Sequence, residues 1–339
     1  MLVLPLQGPA KRVGRDGARQ GGYARRVIAF LAICLPIFAV IGVGFAAARF
    51  RLIQPAMIDA VGAFSFLFAL PALLLRLMAA QPLGRSFEAG FFFGYLGACL
   101  TVFGAVMLAA LPFRRRGPAA AIGAAAAMGN VGYLGPPLLL PLLGERGAGP
   151  IAMSIMSEVA VVLALGSVLM APAVPGAGLR NGLRALRSVA LNPVLLSIAG
   201  GALLGAAGVP LPGPIERFLG FLGAAAGPTA LFALGGTLAR LKIDQRLLAA
   251  AGGAVAAKLA AYPLLVWVVL GTVLRLEPFW VQSGVLLAAM PTATNAFVMA
   301  QRNQAAEDEV SAVVLFSTLI AAVAFPATAW LMAPPVAVP

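Results

Sequence analysis

The chain contains no histidine. That absence excludes histidine-ligated metal sites, serine–histidine triads and the HExxH metalloprotease helix together. Cysteine is scarce as well. Cys34 and Cys99 lie inside apolar runs, at no metal-ligand or disulfide spacing, and read as small buried hydrophobes. There is no GxSxG motif and no pair of membrane aspartates, so nothing points to an enzyme, a metal or a cofactor. Charge is the third scarcity: only 10% of the residues are charged, against roughly 25% in soluble globular domains. Hydrophobic residues make up 61%, and mean hydropathy is +0.98. A soluble core cannot hold that much apolar sequence. The outer surface must therefore be apolar too, and its solvent is lipid. The net charge of +13 does not indicate nucleic acid, because most basic residues fall between apolar segments and act as topology signals.

What is present is a series of apolar stretches of about 20 residues, each able to cross a ~30 Å hydrocarbon core. They run over 27–49, 57–80, 87–112, 117–143, 148–171, 189–208, 213–239, 246–271, 278–301 and 308–332. The expected fold is an all-α polytopic membrane protein of ten transmembrane helices. The connectors are short and leave no room for a soluble domain. In the longest, 172–188, Arg180, Arg184 and Arg187 recur at helical spacing, which predicts a short basic helix on the membrane surface. Residues 1–26 are polar, Gly-rich and basic, and read as a disordered tail. The apolar run after them is too long for a signal-peptide core and has no clear cleavage site, so it reads as the first transmembrane helix.

The odd-numbered connectors carry Arg49, Arg51, Arg114, Arg115, Arg116, Arg180, Arg184, Arg187, Arg240, Lys242, Arg246 and Arg302. The even-numbered ones carry Arg85, Arg146, Arg217 and Arg275. This bias puts the first set in the cytoplasm and both termini outside, in the inner or plasma membrane. Lys11, Arg12, Arg15, Arg19, Arg25 and Arg26 in the tail run against it.

The most specific feature is an internal repeat. A shift of 157 residues places Pro36 on Pro193, Pro55 on Pro212, Asp59 on Glu216, Pro71 on Pro228 and Arg85 on Lys242. Further on, a shift of 165 places Asn130 on Asn295, and a shift of 154 places Ser157 on Ser311 and Pro172 on Pro326. The halves are 27–171 and 189–332, joined by 172–188. Each holds five spans, an odd number, so the two enter the membrane from opposite sides. Inverted repeats of this kind are a transporter signature, with the site near the midplane.

Two segments look like that site: Met128-Gly129-Asn130-Val131-Gly132-Tyr133-Leu134-Gly135-Pro136-Pro137 and Met290-Pro291-Thr292-Ala293-Thr294-Asn295-Ala296-Phe297. Their prolines and glycines should break both helices in mid-membrane. Open backbone at that depth survives only where protein or water covers it. Half-helix N-termini there would offer N–H groups and a positive dipole end to an anion. Asn130 and Asn295 add amides, and Tyr133, Thr292 and Thr294 add hydroxyls. Two ionisable residues, Glu158 and Lys258, sit deep in apolar runs, where a charge is functional or paired. Three roles are open to Lys258: neutralising a substrate carboxylate, pairing with Glu158, or releasing a proton during transport. Arg76, near a helix end, reads as snorkelling. Gly42, Gly44, Gly200, Gly201 and Gly205 read as close-packing positions.

With these residues in view, the chain resembles the auxin efflux carrier family, in its bacterial branch of malonate/malate-permease-like proteins. The matching pieces are Leu35-Pro36 with Gly42-Val43-Gly44, Leu70-Pro71-Ala72-Leu73-Leu74, and Gly129-Asn130-Val131-Gly132-Tyr133. They continue with Leu191-Asn192-Pro193, Ala230-Leu231-Phe232-Ala233-Leu234-Gly235, Lys258 with Pro263, and Pro291 through Ala300. The resemblance implies two inverted five-helix repeats with broken helices 4 and 9 crossing. Helices 1, 2, 6 and 7 would form a scaffold and the surface of a homodimer, and the others a moving unit. Asn130 and Pro137 would lie in the first crossover, Pro291 and Asn295 in the second. The expected function is secondary transport of a small organic anion, a carboxylate on this reading, by alternating access, with a proton as candidate coupling ion. A sodium-coupled bile-acid-type symporter is the alternative, and Glu158 alone as a cation ligand weighs against it. An ion channel would show pore charges or a filter sequence instead of inverted half-sites.

Overall fold

The computed structural model describes residues 35–171, 177–241 and 246–332. The tail 1–26, Cys34 and Lys242 lie outside the described residues. All extended regular structure among the described residues is helical. The helices are α1 (Leu35–Arg49), α2 (Pro55–Ala79), α3 (Ala89–Ala110), α4a (Arg116–Ala127) and α4b (Val131–Leu143). They continue as α5 (Glu145–Met170), α6 (Pro193–Ala206), α7 (Gly213–Leu238) and α8 (Ala251–Val273). The last are α9a (Pro278–Ala288), α9b (Thr294–Arg302) and α10 (Glu307–Met332). Six of them, α2, α3, α5, α7, α8 and α10, are long and apolar enough to cross a membrane. A seventh span arises if Gly182–Ala190 and Pro193–Ala206, bent by 52° at the Leu191-Asn192 break, are taken together. The chain is a multi-pass membrane protein.

Local chemistry explains the breaks and bends. Asn192 begins α6: its Oδ1 accepts from Val194 N–H at 3.0 Å and Leu195 N–H at 3.3 Å, with Pro193 at the first helical position. A basic helix, Ala177–Ala190, fills the connector where the arginine spacing predicted one. Each mid-helix proline clashes with the carbonyl four residues back and supplies no N–H. The helix accordingly widens to a π-turn over Ser65–Ala69 just before Pro71, and over Ala257–Ala261 just before Pro263. It loosens at Ala225 before Pro228.

Two packing groups emerge. In the first, α6 lies along the second half of α2, and α7 packs on both α1 and α2. In the second, α3, α4a and α5 pack together and meet α8, α9 and α10. Small residues set the first group's spacing. A Cβ at Gly44 would stand 2.0 Å from the Phe232 carbonyl oxygen, and one at Gly235 would stand 1.9 Å from that of Ile41. Gly201 and Gly205 likewise face the backbone of Leu75, Met78 and Gln81. Gly42 and Gly200, expected at the same contacts, point into open space. A helix presents one face to each neighbour, and residues adjacent to the contacting glycine turn away from it.

The ion pairs have a reciprocal pattern. Asp59, at the start of α2, accepts from Arg240, past the end of α7, at 3.1 Å. Glu216, at the start of α7, faces Arg76 of α2 at 3.8 Å. Arg76 also reaches Glu145 at 3.3 Å, so it does extend to the polar edge. Arg114 pairs with Glu309 at 2.9 Å, and Arg146 with Glu277 at 3.5 Å. Such partly exposed pairs contribute little stability individually.

The glycine contacts generate a stability prediction. Gly235→Ala must push α1 and α7 apart and should cost about 1–3 kcal/mol, the usual range for overpacking. Gly42→Ala should leave the melting temperature of the detergent-solubilised protein unchanged or slightly raised. Equal melting of the two variants would contradict the packing.

Candidate functional site

Both breaks form where the sequence placed them in the chain, but the first is set by Met128-Gly129-Asn130 and not by the prolines. Pro136, Pro137 and Pro141 all lie inside α4b. The second break spans Ala289–Ala293 and includes Pro291. The two extended segments pair antiparallel at Gly129 and Thr292. Asn130 N–H donates to the Pro291 carbonyl at 2.8 Å, and Ala293 N–H donates to the Met128 carbonyl at 3.1 Å. Thr292 is held on both sides. Its Oγ1 donates to the Ala125 carbonyl at 2.8 Å, and its N–H donates to Ser317 Oγ at 3.0 Å. Backbone that leaves its helix inside an apolar interior is thereby satisfied strand to strand.

Past the bridge, α4b and α9b start side by side. The first N–H groups of a helix have no intrahelical partner. Among the described residues none is found for Val131, Gly132 and Tyr133 in α4b, or for Thr294 and Asn295 in α9b. These five residues line one small cavity, together with Asn130, Glu158, Phe66, Leu70 and Val194. Asn130 is buried, and its Nδ2 has no hydrogen-bond partner among the described residues. Tyr133, Thr294 and Asn295 also line a larger open cavity of about 720 Å³. Its other polar lining includes Asp59, Thr237, Arg240, Gln301 and Arg302. Tyr133 Oη reaches the Gly62 carbonyl at 3.3 Å. Asn295 is exposed to this cavity.

Glu158 and Lys258 flank the bridge. Both stand in π-helical turns, Met156–Leu163 and Ala257–Ala261, and are 1% and 0% exposed. A Cβ on Gly129 would meet Glu158 Oε1 at 3.2 Å and Lys258 Nζ at 3.3 Å. Glycine is what leaves room for both charges beside the crossover. Tyr95 Oη donates to Glu158 Oε1 at 2.9 Å. Lys258 Nζ donates to the Ala288 carbonyl at 2.6 Å and lies 4.6 Å from the centre of the Tyr262 ring. The Tyr95 and Tyr262 rings are 5.7 Å apart. Cys99 is buried beside them, its Sγ 3.4 Å from the Ala127 carbonyl oxygen.

Of the residues singled out from the sequence, Asn130, Tyr133, Thr294, Asn295 and Glu158 share the crossover cavities. Lys258, Thr292, Pro291 and Pro137 line none of the described cavities. Lys258, Thr292 and Pro291 lie in or behind the bridge; Pro137 packs against Gly227. Sequence reasoning missed Tyr95, Tyr262, Gly129 as a spacer, and Ser317. The chain has only four tyrosines, and a tyrosine in the middle of an apolar span signals a buried polar partner.

A helical membrane protein with two half-helix N-termini converging on one cavity has the build of a solute carrier, and comparison with known proteins agrees. The family model described as "Membrane transport protein" matches residues 29–180 and 179–329. The chain belongs to this family, that of the auxin efflux carriers. It is similar to a protein of Rhizobium meliloti (strain 1021) named "Putative malonate transporter": 35% identical over 298 residues, 85% of this chain and 91% of the relative.

The Tyr95–Glu158 bond is testable. Tyr95→Phe removes a hydrogen bond to a buried charged group and should lower stability by about 1.5–3 kcal/mol. Thermal melting in detergent measures it, and an unchanged midpoint would show that Glu158 does not depend on Tyr95.

Proposed function

We propose that the protein is a secondary active carrier that moves a small carboxylate across the membrane by alternating access. It is built as ten membrane helices in two inverted five-helix repeats, α1–α5 and α6–α10. The reciprocal contacts support this architecture. α1 packs on α7 through Gly44 and Gly235, and its counterpart α6 packs on α2 through Gly201 and Gly205. The start of α2 is ion-paired to the end of α7, and the start of α7 to the end of α2. The bridge hydrogen bonds run once in each direction between the two breaks. Contacts of this kind are what an axis in the membrane plane generates. The group α1, α2, α6 and α7 acts as scaffold, and the remaining helices move against it.

The observation that carries the proposal is the pair of helix N-termini, at Val131 and Thr294, opening on one cavity. Unpaired N–H groups and the positive ends of two helix dipoles suit a carboxylate. Asn130 and Asn295 supply further donors, one from each repeat. Malonate, in the name of the relative, has the chemistry this cavity suits. The larger cavity opens toward Arg240 and Arg302. These belong to the connectors that the charge bias assigns to the cytoplasm, which supports reading this cavity as an inward-facing opening.

Purified protein in liposomes should take up a radiolabelled small dicarboxylate such as malonate saturably. Asn130→Ala and Asn295→Ala should each reduce uptake by tenfold or more, because a site built to hydrogen-bond its substrate loses more than a packing contact. Parental uptake by both variants, at equal protein abundance, would move the site elsewhere.

A further inference from the structure

Lys258 Nζ is surrounded by groups that attract cations: a helix-end carbonyl, an aromatic face and, across Gly129, a carboxylate. Ala288 is the last residue of α9a, so its carbonyl belongs to the set with no intrahelical donor and lies at the negative end of that helix. Lys258 Nζ takes that carbonyl at 2.6 Å. The Leu287 carbonyl oxygen and the Glu158 carboxylate face the same point beside Gly129, at 3.4 Å and 3.2 Å from a Cβ built there. Glu158 Oε2 is buried with no hydrogen-bond partner among the described residues. The Tyr262 ring presents its face, a surface that attracts cations. Helix-end carbonyls at an unwound segment are the donors with which broken-helix carriers hold a sodium ion. Here a side chain brings the charge. Pro263 widens the turn that carries Lys258, and that turn aims the ammonium at the break.

We propose that the Lys258 ammonium is a resident cation: it fills a monovalent-cation site made by the Ala288 carbonyl and the Tyr262 face, with the Glu158 carboxylate across Gly129 as the counter-charge outside direct contact. An alkali cation can then occupy this site only when the lysine is removed. The tethered charge offsets Glu158, which lines the small cavity and would otherwise oppose an anion there. The site itself stands on geometry alone. Only the consequence for transport, that no sodium is needed to ready the crossover for an anion, rests on the carrier reading.

The experiment is thermal melting of the full-length protein in detergent, in choline, sodium or potassium chloride at matched ionic strength. The parental protein should melt at the same temperature in all three. Lys258→Ala should melt lower in choline and recover by several degrees, saturably, in sodium or potassium. Adding Glu158→Gln to Lys258→Ala should abolish that recovery. Identical melting of Lys258→Ala in all three salts would overturn the proposal, as would an equal sodium response in the parental protein. If Lys258→Ala cannot be isolated in choline, it should be isolable in sodium or potassium. Failure of both Lys258→Ala and Lys258→Gln in every salt would show that no free cation replaces the ammonium, and would also overturn it. No substrate enters this measurement, so an error in the carrier reading would leave its outcome unchanged.

Discussion

The structure depends on one constraint: a polypeptide that leaves its helix inside an apolar interior must pair its N–H and C=O groups there. Two helices break, and each break satisfies the other. The Asn130–Pro291 and Ala293–Met128 backbone bonds close a minimal antiparallel bridge, and Thr292 ties it to α4a and α10 through Ala125 and Ser317. Each unpaired group would cost several kcal/mol on the order expected for apolar surroundings. Neither break is therefore tolerable without its partner. Once paired, they fix the directions of four half-helices, and with them two N-termini on one cavity and a C-terminal carbonyl on the opposite side.

The same constraint explains the charges. Glu158 and Lys258 enter from α5 and α8, helices of different halves, and meet the bridge at Gly129. They form no direct ion pair within 4.0 Å among the described residues. Each has a neutral polar partner instead, Tyr95 for the carboxylate and the Ala288 carbonyl for the ammonium. A lone charge at this depth would be expensive. Opposite charges on two sides of a glycine leave the crossover close to neutral while keeping oxygen atoms and N–H groups available.

Much of this could be read from the residues, and what could not has physical causes. Hydropathy located 213–239 and 308–332 to within a residue of Gly213–Leu238 and Glu307–Met332, because lipid-facing length is a composition signal. The crossovers were visible as clustered glycine, proline and asparagine in matching places. The site of the first break was not, since Pro136 and Pro137 are tolerated inside α4b and the chain opens at Gly129 and Asn130. Proline marks where a helix is weakened, but tertiary pairing decides where it opens. The depth of Lys258 was clear from its position in the chain. Which face of α8 it takes was not, because the π-turn before Pro263 rotates it away from the regular helical register. Gly44 could not be told from Gly42, because the sequence does not show which face of α1 meets α7.

The central claim is that the paired breaks create the binding site, and the most direct measurement of it is a cryo-EM reconstruction with malonate present. The account predicts density for the anion in the cavity between Val131–Tyr133 and Thr294–Asn295, within hydrogen-bonding distance of their N–H groups and of the Asn130 and Asn295 amides. Density for the anion at a site away from the crossover, such as the cavity lined by Arg76 and Gln81, would contradict it.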